Sequence, residues 1–240
     1  MKFFQTLFLL TVLAFGIESA VIIPSPVISG INMDTKLYSA ANMRSEVTDM
    51  VYTGDSVEIL EDRSEEWYRV RNFETGKTGW LLRDYLVIPP DEPTNSNHAD
   101  KTDLERYVNE GGYESSTDYF VVTDINRQLT YIFTGTAGSF KLTKTIVCAT
   151  GKNASPTTRG LFTITDKGRW FYSERLNSGA KFWTRFNGSY LFHSVAMDKD
   201  KNITDGILGE RRSSGCVRMS VEDAEWFFEH IPYGTAVSIV

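Results

Sequence analysis

The sequence predicts a mainly β chain built as two units, a small barrel followed by a larger β-rich unit with a few short helices. Three observations carry that reading. Short runs of β-forming residues recur between turn residues across residues 27–88, the pattern of a small closed sheet. A polar, proline-rich stretch then interrupts the pattern and can bury no core. Beyond it, across residues 104–240, runs rich in Val, Ile, Tyr and Phe outnumber segments with helical spacing.

At the N-terminus, MKFFQTLFLLTVLAFGIESA places Lys2 before an apolar run that ends near Ile17, with small residues at Ser19 and Ala20. This is the plan of a secretory signal over residues 1–20, and it predicts a secreted or cell-envelope protein. The apolar run of about 15 residues is shorter than the roughly 20 a spanning helix needs, and an uncleaved anchor is the alternative. Acidic residues (31) outnumber Lys plus Arg (25) for a net charge of −6, which argues against nucleic acid as a partner. Two cysteines and three scattered histidines lack metal-ligand spacing, so neither a metal nor a cofactor is predicted.

In residues 27–88 the strands are expected at Ser56–Leu60, Trp67–Arg71 and Gly79–Leu82, separated by Thr53-Gly54-Asp55 and Thr75-Gly76-Lys77. Residues 89–103, opening Pro89-Pro90-Asp91-Glu92-Pro93, read as a linker, with His98 solvated in it. A short helix is expected near Leu104–Asn109. Strands follow at Val121 and Leu129–Phe133, joined by a turn at Asp124-Ile125-Asn126, then at residues 140–149, 160–165 and 190–193. The clearest helix starts at Ser220, with Asp223 completing the N-terminal cap and Ala224, Phe227, Phe228 and Ile231 at helical spacing; Pro232 and Gly234 stop it. Residues 235–240 alternate and are expected to return to the sheet.

The chemistry is concentrated in Ser213-Ser214-Gly215-Cys216-Val217-Arg218, downstream of Leu191-Phe192-His193-Ser194. Taken alone, Cys216 reads equally as a buried small hydrophobe or as a nucleophile. A core strand seldom carries Ser-Ser-Gly before its cysteine, whereas a turn of small residues leaves room for a carbonyl and aims N–H groups at it. A thiol needs a base, and His193 is the only histidine outside the linker and the last helix. Arg218 alternates to the same side as the thiol, where it either lowers the cysteine pKa or holds a substrate carboxylate. Cys148 is read as a buried thiol, with a disulfide to Cys216 as the alternative.

These residues resemble known families. "GDSVEIL", "EEWYRVRN" and "GKTGWLLRDYL" resemble a bacterial SH3 domain, which implies attachment to the cell wall. "LFHS", "SSGCVRMS" and "IPYGTAVSIV", with "VVTDINRQLTYIF" and "TIVCATGKNASPTTRGLFTI" upstream, resemble the YkuD family of L,D-transpeptidases over about residues 118–240. That resemblance implies Cys216 as nucleophile, His193 as general base oriented by a backbone carbonyl, and the amides of the Ser213-Ser214-Gly215-Cys216 turn as oxyanion donors. Many members carry histidine where this chain has Ser214. The resemblance further implies that peptidoglycan stem peptides are the substrates. Arg218 and Ser194, and from a region dense in aromatics Trp183 and Tyr190, are the expected substrate-binding residues. The implied product is a 3→3 cross-link formed through a cysteine thioester, with release of D-alanine. An L,D-carboxypeptidase acting on the same peptides, or a wall-binding protein with an inert site, are the alternatives.

Overall fold

The computed structural model describes residues 21–240. The expected export signal, residues 1–20, lies outside the described residues. The first unit is a sheet of seven strands: β1 (Val27–Ile31), β2 (Thr35–Tyr38), β3 (Val47–Val51), β4 (Ser56–Arg63), β5 (Trp67–Asn72), β6 (Thr78–Leu82) and β7 (Leu86–Val87). Their order across the sheet is β3-β2-β6-β5-β4-β1-β7. Alternation drives the burial: along β5, Tyr68, Val70 and Asn72 turn inward while Arg69 and Arg71 face out. Leu37, Val51, Val57, Val70 and Leu81 close the interior. The three strands expected from sequence are present, each extended by up to three residues, and β1 to β3 and β7 are added.

The second unit opens with α1 (Lys101–Glu110), capped by the Asp100 side chain, which accepts from the Thr102 amide; Leu104 and Val108 are its buried face. Two sheets follow. The first contains β8 (Tyr119–Asp124), β9 (Leu129–Thr134), β10 (Lys141–Val147), β11 (Gly160–Thr163) and, from the far end of the chain, β18 (Ala236–Ile239), in the order β10-β9-β8-β18-β11. The second contains β12 (Asp166–Ser173), β13 (Ser178–Asn187), β14 (Tyr190–Ser194), β15 (Ala196–Met197), β16 (Ile203–Asp205) and β17 (Val217–Met219).

The helix α2 (Val221–His230) starts as expected, the Ser220 hydroxyl accepting from the Asp223 amide. Its Ala224 and Phe227 join Val121, Ile132 and Val237 of the first sheet and Phe186, Phe192 and Val217 of the second in one apolar core. Phe192 and Phe227 stack at 4.7 Å between ring centres. His230 is exposed, stacked on Trp226 and bonded to that residue's carbonyl, so it belongs to the helix end. The chain therefore has the mainly β architecture that its sequence predicts.

The segment between the units has no regular secondary structure, yet it is tied down. Polar side chains that cannot build a core bond instead to loops of the second unit. The Asn153 amide donates to Asp91 Oδ1 at 2.5 Å and its side chain to the Pro90 carbonyl at 2.8 Å. Thr94 donates to the Gly209 carbonyl and Arg127 to that of Asn97. His98 is exposed. The barrel itself is docked: Tyr68 donates to the Ala154 carbonyl at 2.6 Å, Ser155 to Asp62 Oδ1 at 2.6 Å, and Arg159 pairs with Glu58 at 2.8 Å.

Glu58 also pairs with Arg71 at 2.9 Å, so one nearly buried carboxylate holds an arginine from each unit. Glu58→Ala leaves the largely buried Arg159 without its counter-ion. It should lower the stability of the chain by about 1–2 kcal/mol in urea denaturation. Glu61→Ala, which removes the more exposed partner of Arg69, should stay within about 0.5 kcal/mol.

Candidate active site

The site is built on a parallel pair of strands. In the β14–β17 ladder Phe192 lies opposite Val217, His193 opposite Arg218 and Ser194 opposite Met219. Side chains alternate, so Phe192, Val217 and Met219 enter the core while His193 and Arg218 share the other face. Cys216, one residue before β17, falls on that same face. By strand geometry its Cα is a diagonal step of roughly 8 Å from that of His193.

The imidazole is held in one orientation. His193 Nδ1 lies 2.6 Å from the Ser194 carbonyl oxygen, which can only accept; Nδ1 therefore carries the proton and Nε2 a lone pair. Phe171 packs edge-on against the ring at 5.4 Å. Burial, aided by the nearby Arg218 charge, pulls the His193 pKa down to about 4 against the upward pull of the Ser194 carbonyl.

The turn before Cys216 is stapled from two sides. Ser213 Oγ accepts from the Gly215 amide at 3.1 Å and donates to the Cys216 carbonyl at 2.5 Å. Thr157 Oγ1 donates to the Gly215 carbonyl at 2.7 Å and accepts from the Gly151 amide at 2.8 Å. Gly215 sits at φ +104°, and a Cβ there would lie 2.6 Å from the Tyr190 ring. Only glycine satisfies both constraints. The Cys216 thiol points at the Ser189 carbonyl, 3.7 Å away. Burial pushes its pKa up, while the Leu191 amide and the charges of Arg218 and Arg185 pull it back.

The residues expected from sequence divide into groups. Cys216 and His193 share one face of the sheet by strand register; Tyr190 is buried against Gly215, and it and the exposed Ser214 line a cavity beside the turn, a cavity that neither Cys216 nor His193 itself lines. Ser213 and Gly215 are in the turn, but the Gly215 amide is already bonded to the Ser213 hydroxyl, which makes Ser213 a staple. Ser194 is corrected: it is fully buried, accepts from the Lys181 amide and donates to the Val195 carbonyl, because the alternation that presents His193 turns its neighbour inward. Trp183, half-buried, donates to the Trp170 carbonyl and packs across Gly168 within its own hairpin. Arg218 faces the thiol's side of the sheet, but its guanidinium is engaged by Asp205 at 2.8 Å, so it acts on the site by its charge rather than as an open carboxylate clamp.

Cys148 is a free, fully buried thiol whose pKa burial raises to about 12; it forms no disulfide with Cys216. Thr157, Ser189, Asp205 and the Leu191 amide were not anticipated. Thr157 stands in the "SPTTRG" stretch that carried part of the resemblance; the others have no local signal, because their roles depend on chain crossings.

A small-residue turn carrying a free thiol, on the same sheet face as an oriented neutral imidazole, is an arrangement suited to cysteine acyl transfer. Residues 118–239 match the L,D-transpeptidase catalytic domain family, YkuD, and the chain belongs to that family. Residues 34–87 match the bacterial SH3 domain. A Bacillus subtilis (strain 168) protein, YciB, named for L,D-transpeptidase activity, is 40% identical over 89 residues, which cover 35% of this chain and 46% of that protein. A crystal structure of a fused Zn-dependent amidase/peptidase/peptidoglycan-binding domain-containing protein from Clostridium acetobutylicum ATCC 824 is 32% identical with a TM-score of 0.51. That match covers 58% of this chain and 59% of the clostridial one. An L,D-transpeptidase structure from Stackebrandtia nassauensis is 19% identical with a TM-score of 0.42, covering 60% of this chain and 68% of the other. The chain thus spans about half the length of YciB.

Gly215→Ala should test how tightly the turn is drawn. The added methyl meets both the left-handed backbone and the Tyr190 ring, so stability should fall by about 1–3 kcal/mol. Cys216 alkylation by iodoacetamide should change in rate even under conditions where the variant remains folded.

Proposed function

We propose that this chain is an exported peptidoglycan L,D-transpeptidase in which Cys216 is the nucleophile and His193 the general base. The observation that carries the reading is the registered pair of strands, which sets an imidazole with a free Nε2 lone pair on the same face as a thiol in a stapled glycine turn. In the resting site both groups are neutral, since burial raises the pKa of one and lowers that of the other.

As Cys216 Sγ forms its bond to the carbonyl carbon of the third residue of a tetrapeptide stem, its proton passes to His193 Nε2. The main-chain N–H groups flanking Cys216 receive the oxyanion; Ser214 and Cys216 itself are the candidates, the Gly215 amide being bonded. Collapse breaks the peptide bond, and the imidazolium returns its proton to the departing D-alanine amine, leaving a thioester. An amine of a neighbouring stem then attacks the thioester, gives its proton to His193 and releases the thiol, forming a 3→3 cross-link. Water in place of the amine would yield a tripeptide by L,D-carboxypeptidation. The SH3-like unit is the proposed contact to the wall, and the leading apolar segment the proposed export signal.

The decisive experiment is intact mass of the protein after incubation with a disaccharide tetrapeptide, with the adduct mapped. A thioester on Cys216 with release of D-alanine is expected, and dimeric muropeptide as product. Cys216→Ala should form no adduct, and turnover by that variant would overturn the assignment. His193→Gln should slow acylation by about 10²–10⁴-fold.

The pH dependence of acylation follows from the directions of the two shifts. His193 is protonated only below about pH 4, so the rate should fall on acidification through that value and not near pH 6.5. On the alkaline side the raised Cys216 pKa keeps the thiol protonated through neutrality, so alkylation by iodoacetamide should keep rising beyond pH 9. An acid limb centred near pH 6.5 would show that the imidazole is not buried in the working enzyme.

A further inference from the structure

Beside the nucleophile turn lies a cavity of about 160 Å³ whose walls come from both units of the chain. Ser214, Ser189 and Tyr190 form the catalytic side, Arg175 and Leu176 come from the turn between β12 and β13, and Asp62, Arg63, Ser64 and Glu65 belong to the β4–β5 hairpin of the barrel. The hairpin is locked against the catalytic unit. Asp62 takes the Ser155 hydroxyl on one oxygen and the Glu65 amide on the other, and Tyr68, on the return strand, bonds to Ala154.

The hairpin tip is itself unusual. Ser64 and Glu65, in the three-residue connection between the paired Arg63 and Trp67, both have positive φ, 60° and 56°, a conformation that favours Gly or Asn. Holding two ordinary residues there costs roughly 1 kcal/mol or more each, and such strain persists where the surroundings impose it. Here it is imposed beside Cys216.

Charge indicates what the cavity accepts. Among the described residues neither Arg63 nor Arg175 makes an ion pair or a side-chain hydrogen bond, so two exposed arginines, one from each unit, stand at the cavity with their charges unspent. The Asp62 carboxylate is spent on Ser155 and its own hairpin, and Glu65 is exposed at the rim. Two cations balanced by two carboxylates disfavour a polyanion and suit an amino-acid unit with one free carboxylate.

We infer that the barrel supplies part of the substrate site, with Arg63 and Arg175 together reading a free carboxylate of the stem peptide next to the bond that Cys216 attacks. This rests on the transpeptidase reading above. It makes Arg63 a specificity residue carried by the SH3-like unit, in addition to any role of that unit in attachment to the wall.

The test uses the full chain and a series of disaccharide tetrapeptides in which the free carboxylates are amidated one at a time. Acylation of Cys216 is followed by mass, and alkylation by iodoacetamide serves as a charge-neutral control. For at least one position the wild-type protein should be acylated about tenfold faster by the carboxylate than by the carboxamide. Arg63→Gln and Arg175→Gln should each remove that preference by slowing the carboxylate substrate alone, with alkylation and melting temperature unchanged. A preference that survives both substitutions, an equal loss on both substrates, or no preference in the wild type would overturn the inference. A wild-type protein that is alkylated at Cys216 but acylated by none of the peptides would instead overturn the transpeptidase reading, and this inference with it.

Discussion

The pairing of β14 with β17 is the constraint on which the rest of the site depends. These strands are distant in sequence and run parallel, so no hairpin turn sets their register; it is set by the core that Phe192, Val217 and Met219 share with α2 and the first sheet. A slip of one residue would send His193 into that core and bring Ser194 out. The stapling of the 213–216 turn follows from the same ladder, because Thr157 and Gly151 reach it only when residues 149–151 pair alongside, with Ala149 bridged to Arg218 and Gly151 to Ser213. The packing that stabilises the fold therefore also sets the geometry of the nucleophile.

The same burial decides the electrostatics. Taking an imidazole and a thiol out of water favours their neutral forms, so the proposed reaction would have to create its ion pair as it proceeds. Arg218 acts unequally on the two. Its charge opposes the imidazolium and favours the thiolate, and Asp205 holds the guanidinium in place and tempers it. In the proposed reaction a base this weak takes the thiol proton only as the carbon–sulfur bond forms, which ties deprotonation to the presence of a correctly placed carbonyl. Cys148, buried deeper and without such neighbours, has no comparable route to a thiolate.

Much of this was legible in the sequence because it is written locally. The glycine before Cys216, the Ser220 cap and the spacing of Ala224, Phe227 and Ile231 each follow from residues within a few positions of one another, and each is found in the structure. Ser194 is expected to bind substrate, whereas strand alternation places it on the face opposite His193, fully buried. Aromatic density alone does not tell a hairpin's own packing, which Trp183 shows across Gly168, from the lining of a groove. Asp205, Ser189 and Thr157 act across chain crossings, and no spacing rule announces them.

The least legible feature is the relation between the two units. Glu58, Asp62 and Tyr68 look like ordinary surface and core residues of a small barrel, and residues 89–100 have the composition of a free linker. Yet composition reports only that such a segment cannot form a core of its own; it does not exclude bonding to a neighbour whose loops offer partners. Once Asn153, Ser155 and Arg159 are found reaching back to the barrel and its trailing segment, the loop that presents Thr157 to the nucleophile turn is clamped from outside as well as from within. Attachment to the wall and alignment of the substrate need not then be separate tasks. A barrel that meets the wall while forming one side of the cleft would bring the peptide to Cys216 already oriented, with less freedom left to lose on the way to the thioester.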